Sequence, residues 1–473
     1  VIKYSESHKV CPFEFSLDTS LFCDIVICDY NYAFDPSVFL KRFFMDESGN
    51  YVFLMDEAHN FIDRARSMYS ETLQKQSFLK LRKSIKKEIE GKSFIAKELD
   101  DIIKSTSKVN SQFLRLRSKD LEDKVFKDYP KGLFKASKDF IEAVELYLAS
   151  EEYAKQESYY DELMEVYFQT YSFLRIGEFY GDGYVTILYE NDKDTAVKLY
   201  CVDPSQIIKE NLKRCIALVA FSATLIPASY YIEMMGGVED AVYLMLDSPF
   251  PRENLLVMVD RSVSTRYAHR DKGAKSLAFK IYEAIQEKKG NYMVFFPSYE
   301  YMEKIYSIFT QEFEDVEIFS QSRDMKDAQR EDFLGSFELQ SHKLVLAFAV
   351  MGGIFSEGID LKGERLSGAI VVGVGLAKAS LELDLIYEHF EALGKNGFNY
   401  AYRYSAMNKV MQSGGRVIRT ETDKGFILLM DDRFLNPKYR ALMPREWNDF
   451  KILSKPDDIK NMVRGFWDEA MKS

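Results

Sequence analysis

The chain has 473 residues, 47% of them apolar, with 63 Lys and Arg against 74 Asp and Glu. That is length for about three domains, too apolar for disorder; five scattered cysteines exclude a disulfide framework and fit a reducing, cytoplasmic setting. The sequence has no apolar run of about 18 residues, which excludes a membrane-spanning helix, and a net charge of −11, taken alone, speaks against a nucleic-acid binder.

Short, almost wholly apolar runs predict parallel strands covered on both faces. In chain order they are Asp24–Cys28, Tyr51–Met55, Ile216–Phe221, Tyr292–Phe296, Lys343–Ala349, Ala369–Gly373 and Gly425–Met430. Helical periodicity lies between the later ones, at Ala274–Lys288, Tyr299–Gln311 and Met325–Phe337, so the fold class is α/β. From about Phe61 to Gly177 the rhythm changes to amphipathic helices poor in Gly and Pro. Strand signals resume at Tyr184–Glu190. The expected organisation is 1–60 as part of a first α/β domain, 61–180 as an all-helical insert, 181–238 as the return to that domain, and 239–473 as a second α/β domain. The insert is electrically lopsided: residues 74–131 carry 16 basic and 9 acidic side chains, residues 132–200 carry 6 and 14. Charge runs are commonly solvated faces; the alternative is that the first half faces an anionic strand.

Four segments carry chemistry. In Tyr51–His59 an apolar strand runs into Asp56-Glu57-Ala58-His59, which puts two carboxylates at the carboxyl end of a parallel strand, where nucleotides bind. One such carboxylate can hold Mg²⁺ through its water shell, and its neighbour can orient the water that attacks a γ-phosphate; the plainer reading is an acidic helix start. Leu218–Pro227 ends a strand in Ser222-Ala223-Thr224, hydroxyls able to sense those carboxylates or simply to cap a helix. In Met411–Arg419, Arg416 and Arg419 lie three apart, which on a helix places both on one face, as suits a triphosphate's terminal oxygens; Gly414 and Gly415 permit close approach. Gly352–Asp360 is a Gly-punctuated loop after a strand.

Together and in this order the four segments resemble superfamily 2 helicases, specifically the XPD/DinG group of iron–sulfur DNA helicases. Asp56-Glu57-Ala58-His59 matches the DEAH box, Ser222-Ala223-Thr224 the coupling motif, and Ser356-Glu357-Gly358-Ile359-Asp360 the S-E-G-[IV]-D motif. Gln412, Gly415, Arg416 and Arg419 fit Q-x-x-G-R-x-x-R, and Phe296-Pro297-Ser298-Tyr299 resembles the F-P-S-Y segment on the DNA path. The resemblance implies two RecA-like motor domains, the first incomplete here and interrupted by an arch-like insert, that hydrolyse ATP with Mg²⁺ and move 5′ to 3′ along single-stranded or forked DNA. Asp56 would hold Mg²⁺, Glu57 would activate water, and His59 with Ser222, Ala223 and Thr224 would couple hydrolysis to movement. Arg416 and Arg419 would reach the γ-phosphate, with Gln412, Gly415, Gly358 and Asp360 at the nucleotide and Ser298, Tyr299, Ser356 and Glu357 at the DNA. The arch length suggests a bacterial source.

The family's P-loop, G-x-x-x-x-G-K-[ST], has no match. Gly91-Lys92-Ser93 comes nearest, but Lys86 stands where the first Gly belongs. Cys11, followed by Pro12, resembles the last ligand of the family's 4Fe–4S cluster, without its three partners; Cys23, Cys28, Cys201 and Cys215 read as buried free thiols. With Val1 as first residue, the chain reads as the carboxyl-terminal part of a longer helicase, unable to hydrolyse ATP alone. The competing readings are an ATP-independent nucleic-acid-binding module or degenerate homologue, and a metal-dependent nuclease using Asp56 and Glu57.

Overall fold

The computed structural model describes residues 2–44, 50–90, 97–117, 123–150, 158–191, 194–237, 240–337, 342–355, 365–455 and 457–470. It has two compact units, Val1–Ser222 with Ile232–Ala241, and Ala223–Tyr231 with Val242–Ser473. The α/β class and the parallel sheets are as the apolar runs predict.

In the first unit, strand β1 (Val52–Met55) leads out into an insert built on the helices Lys75–Ile89, Lys97–Leu116, Lys131–Ala149 and Tyr160–Gly177. Their apolar positions recur every three or four residues, as in Phe78, Leu81 and Ile85, so each helix turns one stripe inward. Phe78, Phe113, Phe140 and Phe173 meet there, fully buried. The insert is not all-helical. β2 (Glu71–Gln74), β3 (Lys124–Phe126), β4 (Tyr184–Glu190) and β5 (Thr195–Cys201) form an antiparallel sheet in the order β2-β5-β4-β3. Tyr184–Glu190 therefore does not return to the parallel sheet; its partner is the next strand in the chain, β5, and local pairing wins. The return comes at β6 (Ala217–Ala220), parallel to β1 with Val52 opposite Ala217 and Met55 opposite Ala220. Val52, Leu54, Ala217 and Val219 share one exposed face of this pair.

Asp24–Cys28 forms no strand. It is irregular and exposed, with Ile27 96% accessible. An apolar run specifies burial, but a strand also needs a neighbour for its N–H and C=O groups. Cys23 and Cys28 are accordingly exposed, not buried, while Cys201 is buried.

The second unit is a sheet of seven parallel strands among the described residues: β7 (Leu255–Asp260), β8 (Gly290–Phe296), β9 (Val316–Ser320), β10 (Leu344–Val350), β11 (Gly368–Val372), β12 (Gly425–Met430) and β13 (Lys451–Leu453), in the order β13-β7-β12-β11-β8-β10-β9. Both faces are packed. Phe296, Phe348 and Leu428 point to one core with Ile281 and Phe309, while Phe295, Ala347 and Leu429 point to the other with Met407 and Trp447. This is why the central strands read as unbroken apolar runs. The expectation leaves out β9 and β13, edge strands that carry Glu317 and Lys451, and also β7, whose run is as apolar as its neighbours'.

Candidate nucleotide-hydrolysis site

β1 ends at Met55 and the chain turns sharply. The Glu57 backbone sits in the left-handed region, φ 47° and ψ 40°, which costs a residue with a Cβ of order 1 kcal/mol. Three groups hold the turn. The Asp56 carboxylate accepts the Glu57 N–H at 2.7 Å. The Phe221 carbonyl, just past β6, accepts the Ala58 N–H at 3.1 Å, while the Phe221 N–H donates to the Met55 carbonyl at 2.9 Å. The Tyr30 hydroxyl donates to the carbonyls of Asp56 and Glu57. Both carboxylates face solvent, and His59 behind them is buried. Its Nδ1 lies 2.7 Å from Ser222 Oγ and 3.4 Å from Glu57 Oε2. The structure thus brings Asp56, Glu57, His59 and Ser222 together within the first unit; Ala223 and Thr224 belong to the second, where Thr224 is buried.

In the second unit the helix Tyr404–Gly414 stops at its glycines. A Cβ on Gly414 would lie 2.5 Å from the Trp447 ring, so the close approach is to a side chain, not to another backbone. Arg416 and Arg419 therefore do not share a helical face; Arg416 lies in the turn that follows and Arg419 in the irregular segment beyond it. Arg416 Nε donates to the Gln412 carbonyl at 3.3 Å, and Asp423 accepts the N–H groups of Arg419 and Thr420 at 2.7 and 2.8 Å. Gln412 is buried on the helix and Gly415 caps it.

At the carboxyl edge of the same sheet, Ser298 caps the helix Tyr299–Glu312 by accepting the Tyr301 N–H at 3.3 Å. Next to it stand Gln321 and Arg323, after β9, and Met351 to Gly353, after β10. Beyond β12, buried Asp431 accepts from Arg433 and from Thr265. Ser356, Glu357, Gly358 and Asp360 lie outside the described residues, as does Gly91-Lys92-Ser93.

Two family models match the chain: the helicase C-terminal domain over residues 281–450 and DEAD_2 over residues 1–78. The chain is similar to the XPD and DinG helicases. It is 27% identical over 252 residues to a probable ATP-dependent helicase of Methanocaldococcus jannaschii, covering 47% of this chain and 36% of that protein. It is 22% identical to the ATP-dependent DNA helicase XPD of Sulfolobus acidocaldarius, covering 90% and 72%. A solved XPD helicase has the same fold, with a TM-score of 0.57 at 19% identity over 95% of this chain and 76% of that one. The chain thus spans about a third of the first relative and under three quarters of the second.

Cys11 is exposed at the start of the helix Pro12–Ser20, and among the described residues no three His, Cys, Asp or Glu side chains are placed to share a metal. The donor set of the described residues does not fit four-thiolate ligation. Tyr30 is the site residue that the sequence motifs do not single out; its hydroxyl reaches the turn from 26 residues upstream. Gln321 and Arg323 follow a strand absent from the sequence expectation, so nothing marked their loop. Among the described residues no helix is long and apolar enough to cross a membrane.

Proposed function

We propose that this chain supplies the hydrolysis, coupling and strand-binding parts of an ATP-driven DNA helicase that moves 5′ to 3′ on single-stranded or forked DNA in the cytoplasm, in repair or replication. One observation carries the reading: a strained acidic turn at a strand end whose His59 is bonded to Ser222, just past the neighbouring strand. Asp56 has one oxygen bonded to the Glu57 N–H and remains open to solvent, which fits Mg²⁺ held through water. Bound there with ATP, the ion would neutralise charge building on the phosphates. Glu57 would orient or deprotonate the attacking water. A change in the Glu57 carboxylate's charge is felt 3.4 Å away at His59 and so at Ser222. Gln412, Gly415, Arg416 and Arg419, with Gly358 and Asp360, would act at the nucleotide; Ser298, Tyr299, Ser356 and Glu357 would act at the DNA. In the insert, Lys80, Lys83 and Lys87 stand exposed at helical spacing on Lys75–Ile89, a ridge suited to phosphates.

The 473 residues contain no P-loop, so the phosphate cradle must come from elsewhere. The expected result is no useful ATP hydrolysis by this chain. The product that includes any residues encoded upstream of Val1 should hydrolyse ATP with stimulation by single-stranded DNA, and Glu57→Gln should lower that rate by roughly 10²-fold or more. DNA-stimulated hydrolysis by the 473-residue chain itself, lost on Glu57→Gln, would refute the need for an outside cradle. The absent P-loop favours a second reading, an ATP-independent binding module; DNA binding with no hydrolysis in any longer product would select it.

A further inference from the structure

Tyr299 stands on the proposed nucleic-acid path, and the geometry around it is specific. Gln321 is 4% exposed at the end of β9. Its side-chain carbonyl accepts the Val350 N–H at 2.9 Å and its amide donates to the Tyr299 hydroxyl at 2.9 Å. Its own N–H donates to the Phe348 carbonyl at 2.9 Å. Gly353 makes room for this amide: a Cβ there would lie 2.9 Å from Gln321 Nε2. One side chain therefore ties the ends of three strands together and fixes the Tyr299 ring. Over that ring, 5.1 Å from its centre, lies the guanidinium of Arg323, itself exposed. A planar cation backed by an aromatic ring is a flat, charged plate, and a nucleobase stacks on such a plate whatever its sequence.

We propose that Arg323 is a base-stacking residue for single-stranded nucleic acid, backed by Tyr299, and that Gln321 is the positioning residue that holds the plate in place. This rests on the strand-binding reading of Tyr299.

The test is binding of the 473-residue chain to a short oligothymidine strand and to an abasic strand of equal length. The wild-type chain should prefer the strand with bases by roughly five- to tenfold, the worth of one stacked base. Arg323→Lys keeps the charge and loses the plane; it should erase most of that preference while abasic binding stays within about twofold. Gln321→Ala should lose part of the preference. Gln321→Glu should restore it, because a carboxylate accepts both the Val350 N–H and the Tyr299 O–H. A preference unchanged in Arg323→Lys, or an equal fall on both strands, would overturn the proposal and leave the strand-binding reading standing. No wild-type binding to either strand would overturn both.

Discussion

Asp431→Asn measures how firmly the carboxyl edge of the second unit's sheet is built. Asp431 is fully buried, and its two oxygens accept the Arg433 N–H and Nε at 2.9 and 2.7 Å, Arg433 Nη2 at 2.9 Å, the Thr265 N–H at 3.1 Å and the Thr265 hydroxyl. Asparagine replaces one oxygen with an amide that faces these donors and leaves the guanidinium without its counter-charge. Removing one partner of a buried pair costs about 3–5 kcal/mol. Arg433 keeps 19% of its side-chain exposure, so some water can reach it, and the low end, about 3 kcal/mol, applies. For a unit of this size that is a fall of roughly 6–12 °C in the unfolding transition, read by scanning calorimetry of the whole chain.

The pH dependence has a definite sign. Burial pushes the Asp431 carboxyl up, but the bonds and charge of Arg433 outweigh it and hold the group below the ordinary carboxylate range. A depressed pKa stabilises the fold above the unfolded value of about 4 and loses that contribution as pH falls through the folded value. The gap between wild type and Asp431→Asn should therefore be full at neutral pH and shrink under acid. Arg266→Ala is the control: its bond to Asp432 joins two largely exposed side chains and should cost under about 1 kcal/mol. A shift below about 1 kcal/mol for Asp431→Asn at neutral pH, or a gap that does not narrow in acid, refutes the reasoning.

Ser222→Ala removes the bond to His59 and should lower stability by about 1 kcal/mol in urea titration; in a hydrolysis-competent product it should reduce DNA stimulation more than basal hydrolysis. Glu57→Gly relieves a left-handed backbone and should be no less stable than wild type, while Glu57→Val, β-branched at the same φ, should lose about 1 kcal/mol or more in the same titration. Replacing Lys80, Lys83 and Lys87 together by Glu should weaken single-strand binding and cut the salt slope by about 2, at roughly 0.7 per phosphate contact. Cys11 and Cys23 should alkylate in the folded chain, whereas Cys201, whose thiol burial pushes up to about 12, should react only on unfolding.

The sequence made the central strands legible because a parallel strand covered on both faces leaves its signature in composition alone: Phe295 and Phe296 enter different cores, and so do Leu428 and Leu429. The edges were harder. Glu317 and Lys451 break the runs of β9 and β13, as edge positions allow. Asp24–Cys28 shows the opposite error, since hydrophobicity without a pairing partner is not a strand. In the insert's sheet β4 was legible as a run, whereas the rim strands β2 and β3, four and three residues long, carry too few residues for a period to show.

The site divides along the same line. Asp56, Glu57 and His59 lie within four residues, so their motif is visible; that Glu57 is strained and His59 reaches Ser222 is not, because 163 positions separate that pair. Arg416 and Arg419 show the converse, where spacing suggests a shared helix face that two glycines and Trp447 end one turn early. Gln321 is the extreme case. Nothing in its local sequence distinguishes it from a surface glutamine, and its role exists only because β8, β9 and β10 end side by side. What a sequence shows readily is chemistry concentrated in one segment; what it conceals is chemistry assembled at a sheet edge from the ends of separate strands. A coupling device belongs to the second kind, since it must join segments that are distant in the chain to transmit anything between them.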